Sequence, residues 1–237
     1  MSGKSGDRGD DARGARRRRL RAGEIVVNPK PLRHVDLYGS AGRLEALYRE
    51  LQDPAGIAVV CHPLTSEGGT LHNKVVFRAA RGLEAANVAT LRFNFRGAGV
   101  SGGRFEGGEG EQEDVAAAIT WARKKHPDIK LFVGGFSFGS WVASRVACET
   151  PAVDAIFLIG TPVNKYDFGY LRHCERPMLF VHGTHDEHGD VGKLETLVQE
   201  VRNAESVTIT GADHFFTKQL EALEETMRTW AEEVLEQ

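Results

Sequence analysis

The amino-acid sequence predicts an α/β fold: a three-layer sandwich with a mostly parallel sheet that is entered through an N-terminal antiparallel hairpin. Three observations support this prediction. The 237 residues are 41% hydrophobic, which is enough for one sizeable core. From residue 56 onward, strand-like and helix-like segments alternate to the end of the chain. This order is typical of parallel strands that are covered by helices on both faces.

The third observation is the hairpin itself. Residues 33–39 (RHVDLYG) and 43–50 (RLEALYRE) alternate apolar and polar side chains around the turn GSAG, which is the pattern of an antiparallel pair. Residues 56–62 (GIAVVCH) form a short β-branched run of the kind that a strand buried on both faces requires. Residues 71–87 follow with the apolar spacing of a helix.

The remaining elements follow the same alternation. Strands are predicted at residues 88–95, 129–135, 153–160, 177–183 and 206–210, and helices at 111–126, 140–149, 191–203 and 215–237. The segment TPVNKYDFGYLRHCERP between the third and fourth of these strands is too short to hold a cap domain. Sheets of this kind place functional groups in the loops at the carboxyl ends of their strands.

Charge divides the chain into two parts. Residues 1–23 hold eight Lys or Arg and three Asp, and the whole chain has a net charge of −3, so the remainder carries about −8. We expect residues 1–23 to be a disordered basic tail and residues 24–237 to be a single domain. Arginine-rich segments can contact nucleic acid or anionic surfaces, but this one lacks apolar periodicity, and we do not expect a nucleic-acid partner.

The sequence also predicts a cytoplasmic protein. No window approaches the ~18 uninterrupted apolar residues of a membrane span, and no apolar stretch follows the N-terminal arginines as in a signal peptide. Cys61, Cys148 and Cys174 are odd in number and widely spaced, so we expect buried free thiols in a reducing compartment. The sequence does not indicate an oligomeric state.

The segment GFSFG (135–139) fits the pattern G-x-S-x-G and lies between a predicted strand and a predicted helix. In that context the pattern forms a sharp turn that lifts the serine hydroxyl above the sheet, with the following helix N-terminus aimed at it. Glycines flank the serine because a Cβ there would meet neighbouring backbone. We therefore interpret Ser137 as a candidate nucleophile and the N–H of Phe138 as an oxyanion donor. A tight turn without chemistry is the alternative.

A serine nucleophile requires a base and an acid to orient it. His214 follows the last predicted strand, and Asp186 follows the strand before it, in the order nucleophile, acid, base. Glu187 and Asp190 are alternative acids, and Asp186 is favoured because it lies nearest the strand end. Asp213 is expected to cap the last helix instead.

Two other patterns compete for a function. His182, His185 and His188 invite a metal site, but their i, i+3, i+6 spacing on an irregular loop does not direct three ligands to one centre, and no metal is expected. The glycines in residues 97–102 match G-x-G-x-x-G, but the next helix begins only near Glu109, so we expect a flexible loop at the rim of the site instead of a dinucleotide site.

The loop after residues 56–62 is expected to supply the second oxyanion donor. Pro63 has no N–H, so the first free N–H belongs to Leu64. His62 precedes the nucleophile in the chain and adjoins a proline, and a role in shaping this loop is expected.

The segments CHPLTSEGGTLHNKVV, LRFNFRGAGVSGG, GGFSFGSWVA, GTPVNKYDF, LFVHGTHDE and GADHFF together resemble the small, lidless bacterial branch of the α/β-hydrolase superfamily, which is related to carboxylesterases and dienelactone hydrolases. The resemblance covers residues 33–235. It implies Ser137 as nucleophile, His214 as base, Asp186 as acid, and Phe138 and Leu64 as oxyanion donors, with no cofactor.

The function predicted from these residues is a serine hydrolase that cleaves small carboxylic esters through an acyl-enzyme. A thioesterase or peptidase would use the same three residues, since a fold and a triad do not define the leaving group. A non-catalytic binding protein that keeps the turn for packing is the alternative from another class.

Overall fold

The computed structural model describes residues 31–237. The predicted basic tail, residues 1–23, lies outside the described residues. The strands are β1 (Leu32–His34), β2 (Leu37–Gly39), β3 (Gly42–Leu44), β4 (Ala46–Arg49), β5 (Gly56–Cys61), β6 (Val88–Phe93), β7 (Lys130–Phe136), β8 (Ala155–Ile159), β9 (Met178–His185) and β10 (Ala204–Asp213). The helices are α1 (Lys74–Ala85), α2 (Glu109–Lys125), α3 (Phe138–Glu149), α4 (Val191–Glu200) and α5 (Leu220–Glu236).

Eight strands form one sheet in the order β1-β4-β6-β5-β7-β8-β9-β10. The strands from β6 to β10 in this order pair in parallel, whereas β4 pairs antiparallel with both β6 and β1. The N-terminal hairpin is present in two parts, because β2 and β3 pair separately at its tip. The predicted mostly parallel sheet with an antiparallel entry is confirmed.

The side chains of each central strand alternate between two apolar cores. Val59 packs on one face and its neighbour Val60 on the other, because successive residues of a strand point to opposite sides. Helices α2, α3 and α4 cover the first face, and α1 and α5 cover the second. This gives the three layers that the sequence predicts, and it leaves the strand ends free to carry the site.

The connection between β8 and β9 contains only a short 3₁₀ turn, Gly169–His173. No cap domain is inserted there, as predicted. The carboxyl ends of β7, β9 and β10 are therefore not covered by an extra domain at this point of the chain.

The last helix begins later than predicted. Residues 215–219 form turns, and α5 starts at Leu220 with Gln219 in the capping position. Asp213 accepts a hydrogen bond from the N–H of Thr217 at 2.8 Å. The prediction that Asp213 caps the last helix is therefore wrong: it stabilises the turn that carries the chain from β10 to α5.

The cysteine prediction is wrong for two of three residues. Cys148 at the end of α3 and Cys174 after the 3₁₀ turn form a disulfide with a Cα–Cα distance of 5.3 Å. The two residues are 26 positions apart, and only the packing of the 3₁₀ turn against α3 brings them together. Cys61 is a buried free thiol, as expected. The cysteines no longer support the predicted cytoplasmic location, which stays a prediction.

Among residues 31–237, no helix has the length and apolar character needed to cross a membrane.

Candidate active site

Ser137 lies in the turn between β7 and α3 with a φ of 54° and a ψ of −122°. A positive φ is costly for a residue with a Cβ, so the surrounding structure must hold this conformation. A Cβ on Gly135 would lie 2.6 Å from the carbonyl oxygen of Cys61, and one on Gly139 would lie 2.4 Å from that of His62. The two glycines of the pattern are thus required by close backbone contacts with the end of β5 and the loop that follows it.

The structure brings together the three side chains that the sequence singled out. Ser137 Oγ lies 3.0 Å from His214 Nε2. His214 Nδ1 lies 2.9 Å from each carboxylate oxygen of Asp186. Since an ionised carboxylate only accepts hydrogen bonds, Nδ1 carries the proton and Nε2 presents a lone pair to the serine hydroxyl.

The alternative acids lie elsewhere. Asp190 caps α4 by accepting from the N–H of Lys193 at 2.8 Å, and Glu187 lies 3.9 Å from the ring of His188. Asp186 is therefore the carboxylate that contacts His214 among the three considered.

Aromatic rings surround His214, which is only 3% exposed. The ring centroids of Phe136 and Phe215 lie 4.8 and 5.3 Å from that of His214, and the ring of His188 lies edge-on at 4.4 Å. This packing limits the imidazole to the orientation in which it bridges Ser137 and Asp186.

The carboxyl of Asp186 is stabilised in its charged form. Burial alone would raise its pKa, but the hydrogen bond and charge of His214, with contributions from His182 and the backbone N–H of His188, hold that pKa below its usual value. The pKa of His188 is also lowered, by partial burial and by the positive charges of His214 and Lys165. Asp186 is thus an anion over the physiological range.

Of the two predicted oxyanion donors, Leu64 borders the cavity at Ser137, and Phe138 follows Ser137 directly in the chain. Phe138 is the first residue of α3, where the N–H groups have no acceptor within the helix. Its side chain is buried against Phe95 and Phe105, with centroid distances of 5.9 and 5.6 Å. Leu64 lines one cavity together with Ser137 and His214, and its carbonyl accepts from the N–H groups of Glu67 and Gly69.

His62 shapes the loop that carries Leu64, as predicted. The ring is buried, with Nε2 3.0 Å from the N–H nitrogen of Phe95 and Nδ1 2.6 Å from the carbonyl oxygen of Pro63. Because the Phe95 N–H donates to Nε2, the ring proton lies on Nδ1 and donates to Pro63. His62 therefore ties the loop after β5 to the loop after β6.

The three histidines that were considered as metal ligands, His182, His185 and His188, do not converge on one centre. His182 is buried and His185 is exposed at the end of β9, while His188 lies against His214. Within residues 31–237, no group of three or more His, Cys, Asp or Glu side chains is arranged to hold a metal ion.

The glycine-rich loop at residues 97–102 leads to α2, which begins at Glu109 as predicted. Hydrogen bonds connect this loop to its neighbours, and its flexibility stays a prediction. The N–H of Gly102 donates to the carbonyl of Arg43 at 2.7 Å, and Ser101 Oγ donates to the carbonyl of Asn94 at 2.8 Å.

The cavity at Ser137 has a volume of about 60 Å³. Its lining includes Asn73, Lys165 and Phe215, which sequence reasoning did not single out, and His188, which it considered only as a metal ligand. Phe215 follows His214 directly, a position that signals proximity, whereas the other three come from separate loops. A larger groove of about 280 Å³ lies between β10 and α5, but no serine, histidine or cysteine lines it, so it holds no comparable chemistry.

Comparison with known proteins identifies the family. Residues 66–236, more than half of the chain, match the family model described as an alpha/beta hydrolase domain. The chain belongs to the alpha/beta hydrolase family.

Three proteins illustrate what this alpha/beta hydrolase is similar to. An uncharacterised protein of Rickettsia prowazekii (strain Madrid E) is 36% identical over 189 residues, covering 75% of this chain and 79% of the relative. A serine hydrolase without lid from Xanthomonas campestris is 32% identical with a TM-score of 0.77, covering 85% of this chain and 94% of that one. A serine hydrolase homologue from Coxiella burnetii is 31% identical with a TM-score of 0.79, covering 87% and 98%.

Proposed function

We propose that this alpha/beta hydrolase is a serine esterase that cleaves small carboxylic esters through an acyl-enzyme. One observation carries the proposal: hydrogen-bonding distances of 2.9 and 3.0 Å join Asp186 to His214 and His214 to Ser137. A hydroxyl is a weak nucleophile unless a base takes its proton, and the base needs an anion to orient it.

In the proposed reaction, Ser137 Oγ attacks the ester carbonyl carbon while His214 Nε2 takes the hydroxyl proton. The tetrahedral intermediate places its negative charge on the former carbonyl oxygen, where the N–H groups of Phe138 and Leu64 donate to it. Its collapse breaks the bond to the alcohol, which leaves with the proton from His214. Water then attacks the acyl carbon while His214 Nε2 takes one of its protons. The second tetrahedral intermediate collapses by breaking the bond to Ser137 Oγ, which receives that proton from His214 as the acid is released.

The size of the cavity and the short β8–β9 connection favour small acyl groups. A cavity of about 60 Å³ leaves little enclosed space beside Ser137, and the connection adds only the 3₁₀ turn Gly169–His173 to the surroundings of the site. An uncovered site has no apolar tunnel for a long chain. The proposed substrates are therefore esters of short acids.

The nucleophile is tested with a fluorophosphonate probe, which labels activated serines. Wild-type protein is expected to be labelled, and Ser137→Ala is expected to lose labelling entirely. Ser206→Ala is a matched control, because Ser206 is exposed on β10, and it should label like wild type. Labelling that survives in Ser137→Ala would contradict the assignment, and a folded wild type without labelling would favour a non-catalytic binding protein.

The substrate class is tested with p-nitrophenyl acetate, butyrate and palmitate, together with matched thioesters and anilides. We expect kcat/KM for the acetate and butyrate to exceed that for the palmitate by about tenfold or more. The CH₂ groups of a long acyl chain find no pocket in this site, so they do not gain the transfer free energy that burial would provide. Faster turnover of the palmitate would contradict the open-site argument. A preference for thioesters or anilides would replace the esterase assignment with a thioesterase or peptidase.

A further inference from the structure

His182 is a buried histidine next to Asp186 that the proposed reaction does not use. It lies in β9, four residues before Asp186, and is fully buried. Its Nε2 lies 2.8 Å from the carbonyl oxygen of Gly189. Its Nδ1 lies 3.7 Å from Asp186 Oδ2 and has no hydrogen-bond partner among residues 31–237.

The contact between His182 and residue 189 requires a glycine, because there is no room for a Cβ at this position. A Cβ at residue 189 would lie 2.6 Å from His182 Cε1 and 2.4 Å from the carbonyl oxygen of Thr161. Any other residue would push the loop away from the imidazole. The close approach fixes the Gly189 carbonyl on Nε2 and thereby fixes the ring that faces Asp186.

The partners of His182 determine where its protons lie. A carbonyl oxygen only accepts, so Nε2 carries a proton and donates it to Gly189. Nδ1 faces an ionised carboxylate, and a lone pair on that nitrogen would be repelled by it. Each ring nitrogen therefore faces an acceptor, and both contacts are favourable only when both nitrogens carry a proton.

We propose that His182 is a positioning residue for the active site: a doubly protonated imidazole that holds the carboxylate of Asp186 while Asp186 orients His214. The proposal rests on the proposed esterase function. The positive charge of His182 offsets part of the negative charge that Asp186 presents to His214. Removal of the His182 charge would therefore leave the full charge of Asp186 to stabilise an imidazolium at His214.

The neighbours of His182 on the adjoining elements include one charged group at ion-pair distance. Asp186 is the carboxylate within ion-pair distance of it among residues 31–237. On β10, the residue paired with His182 is the uncharged Thr208. Two further charged groups near the site, Lys165 and Glu187, act on the pKa of His188.

Two variants of His182 each keep one of its two contacts, either the one with Gly189 or the one with Asp186. In His182→Gln the amide nitrogen reaches about as far as Nε2 and keeps the donor to Gly189, whereas in His182→Asn the shorter amide keeps a donor toward Asp186. Both remove the charge. We expect the acid limb of the kcat/KM profile to move up by about one pH unit in both, with kcat about tenfold lower in His182→Gln and less reduced in His182→Asn.

His185→Gln, an exposed position on the same strand, should keep the wild-type profile. An unmoved acid limb in His182→Gln would overturn the proposal, even if kcat fell, because a packing role changes activity without changing the pH dependence.

A second measurement does not depend on activity. Side-chain ¹⁵N NMR of the full chain, with the His182 ring assigned through bonds from its backbone, reports the protonation of each nitrogen at neutral pH. We expect both nitrogens to be protonated, in wild type and in Ser137→Ala alike. A single protonated nitrogen would overturn the proposal. Failure of the esterase function would appear instead as absent probe labelling and ester turnover, so the two failures are distinguishable.

Discussion

Two histidines follow strands at the same edge of the sheet and are both buried, but they differ in their hydrogen-bond partners. His62 comes directly after β5 and is 0% exposed, and His214 comes directly after β10 and is 3% exposed. His62 bonds to the backbone groups of Pro63 and Phe95. His214 bonds to the side chains of Asp186 and Ser137. Burial does not distinguish a structural histidine from a candidate base, but the partners do.

The partners decide whether a proton can move. The N–H of Phe95 and the carbonyl of Pro63 do not change protonation, so they hold His62 in one neutral tautomer. Burial lowers the pKa of His62 to about 4, against a smaller opposing effect of its bond to Pro63. His214 lies instead between a carboxylate and a hydroxyl, and a proton taken from the hydroxyl creates a cation that the carboxylate stabilises.

The largest expected effect of this difference is on catalysis. In Asp186→Asn the amide cannot hold the tautomer of His214 that leaves Nε2 free, and we expect kcat to fall by about 10⁴-fold. In His62→Gln the side-chain oxygen can still accept from the N–H of Phe95, and we expect kcat to stay within about tenfold of wild type. Steady-state turnover of p-nitrophenyl acetate measures both.

Circular dichroism and urea unfolding control for folding of the two variants. A loss of activity in His62→Gln as large as that in Asp186→Asn, with the fold intact, would remove the distinction between the two histidines. It would return His62 to the list of candidate bases.

Much of the fold was predictable because the spacing of apolar residues along the chain indicates which faces of the strands and helices are buried. The run at 56–62 and the alternation that follows it gave strands and helices in the observed order, and they placed Ser137, Asp186 and His214 at strand ends. The residues that the structure brings together at the site were found from turn chemistry and chain order, which are local signals. Contact between them depends on the parallel order of β7, β9 and β10.

Predictions that required knowing which residues of different segments lie close together in the fold failed or were not possible. The pairing of Cys148 with Cys174 depends on the 3₁₀ turn packing against α3, and no local pattern records it. Asp213 resembles a helix cap in sequence, yet the turn it stabilises delays α5 to Leu220. His182 was considered only as a metal ligand, since its contact with Gly189 depends on how the loop folds back.

The smaller expected effect is on the free energy of unfolding, and it arises from the lowered pKa of His62. An unfolded chain binds a proton at this histidine below its ordinary pKa of 6.5, but the folded protein does so only near pH 4. Between these values the unfolded state holds more protons, so the free energy of unfolding decreases as pH falls. From pH 6.5 to 4 the decrease attributable to His62 is about 3 kcal/mol.

Urea unfolding at a series of pH values between 7 and 4 measures this decrease. His62→Gln lacks the titrating group, so its curve should be flatter than that of wild type by about 3 kcal/mol over the range. His188→Gln is the matched control. It also removes a histidine whose pKa is lowered, but this histidine is only partly buried, whereas His62 is fully buried. Asp186 is present in both proteins, and its lowered pKa affects stability mainly below the acid end of this range. Equal slopes in wild type and His62→Gln would show that folded His62 accepts a proton as readily as the unfolded chain does. Its backbone partners would then not fix its charge, and the contrast with His214 would rest on geometry alone.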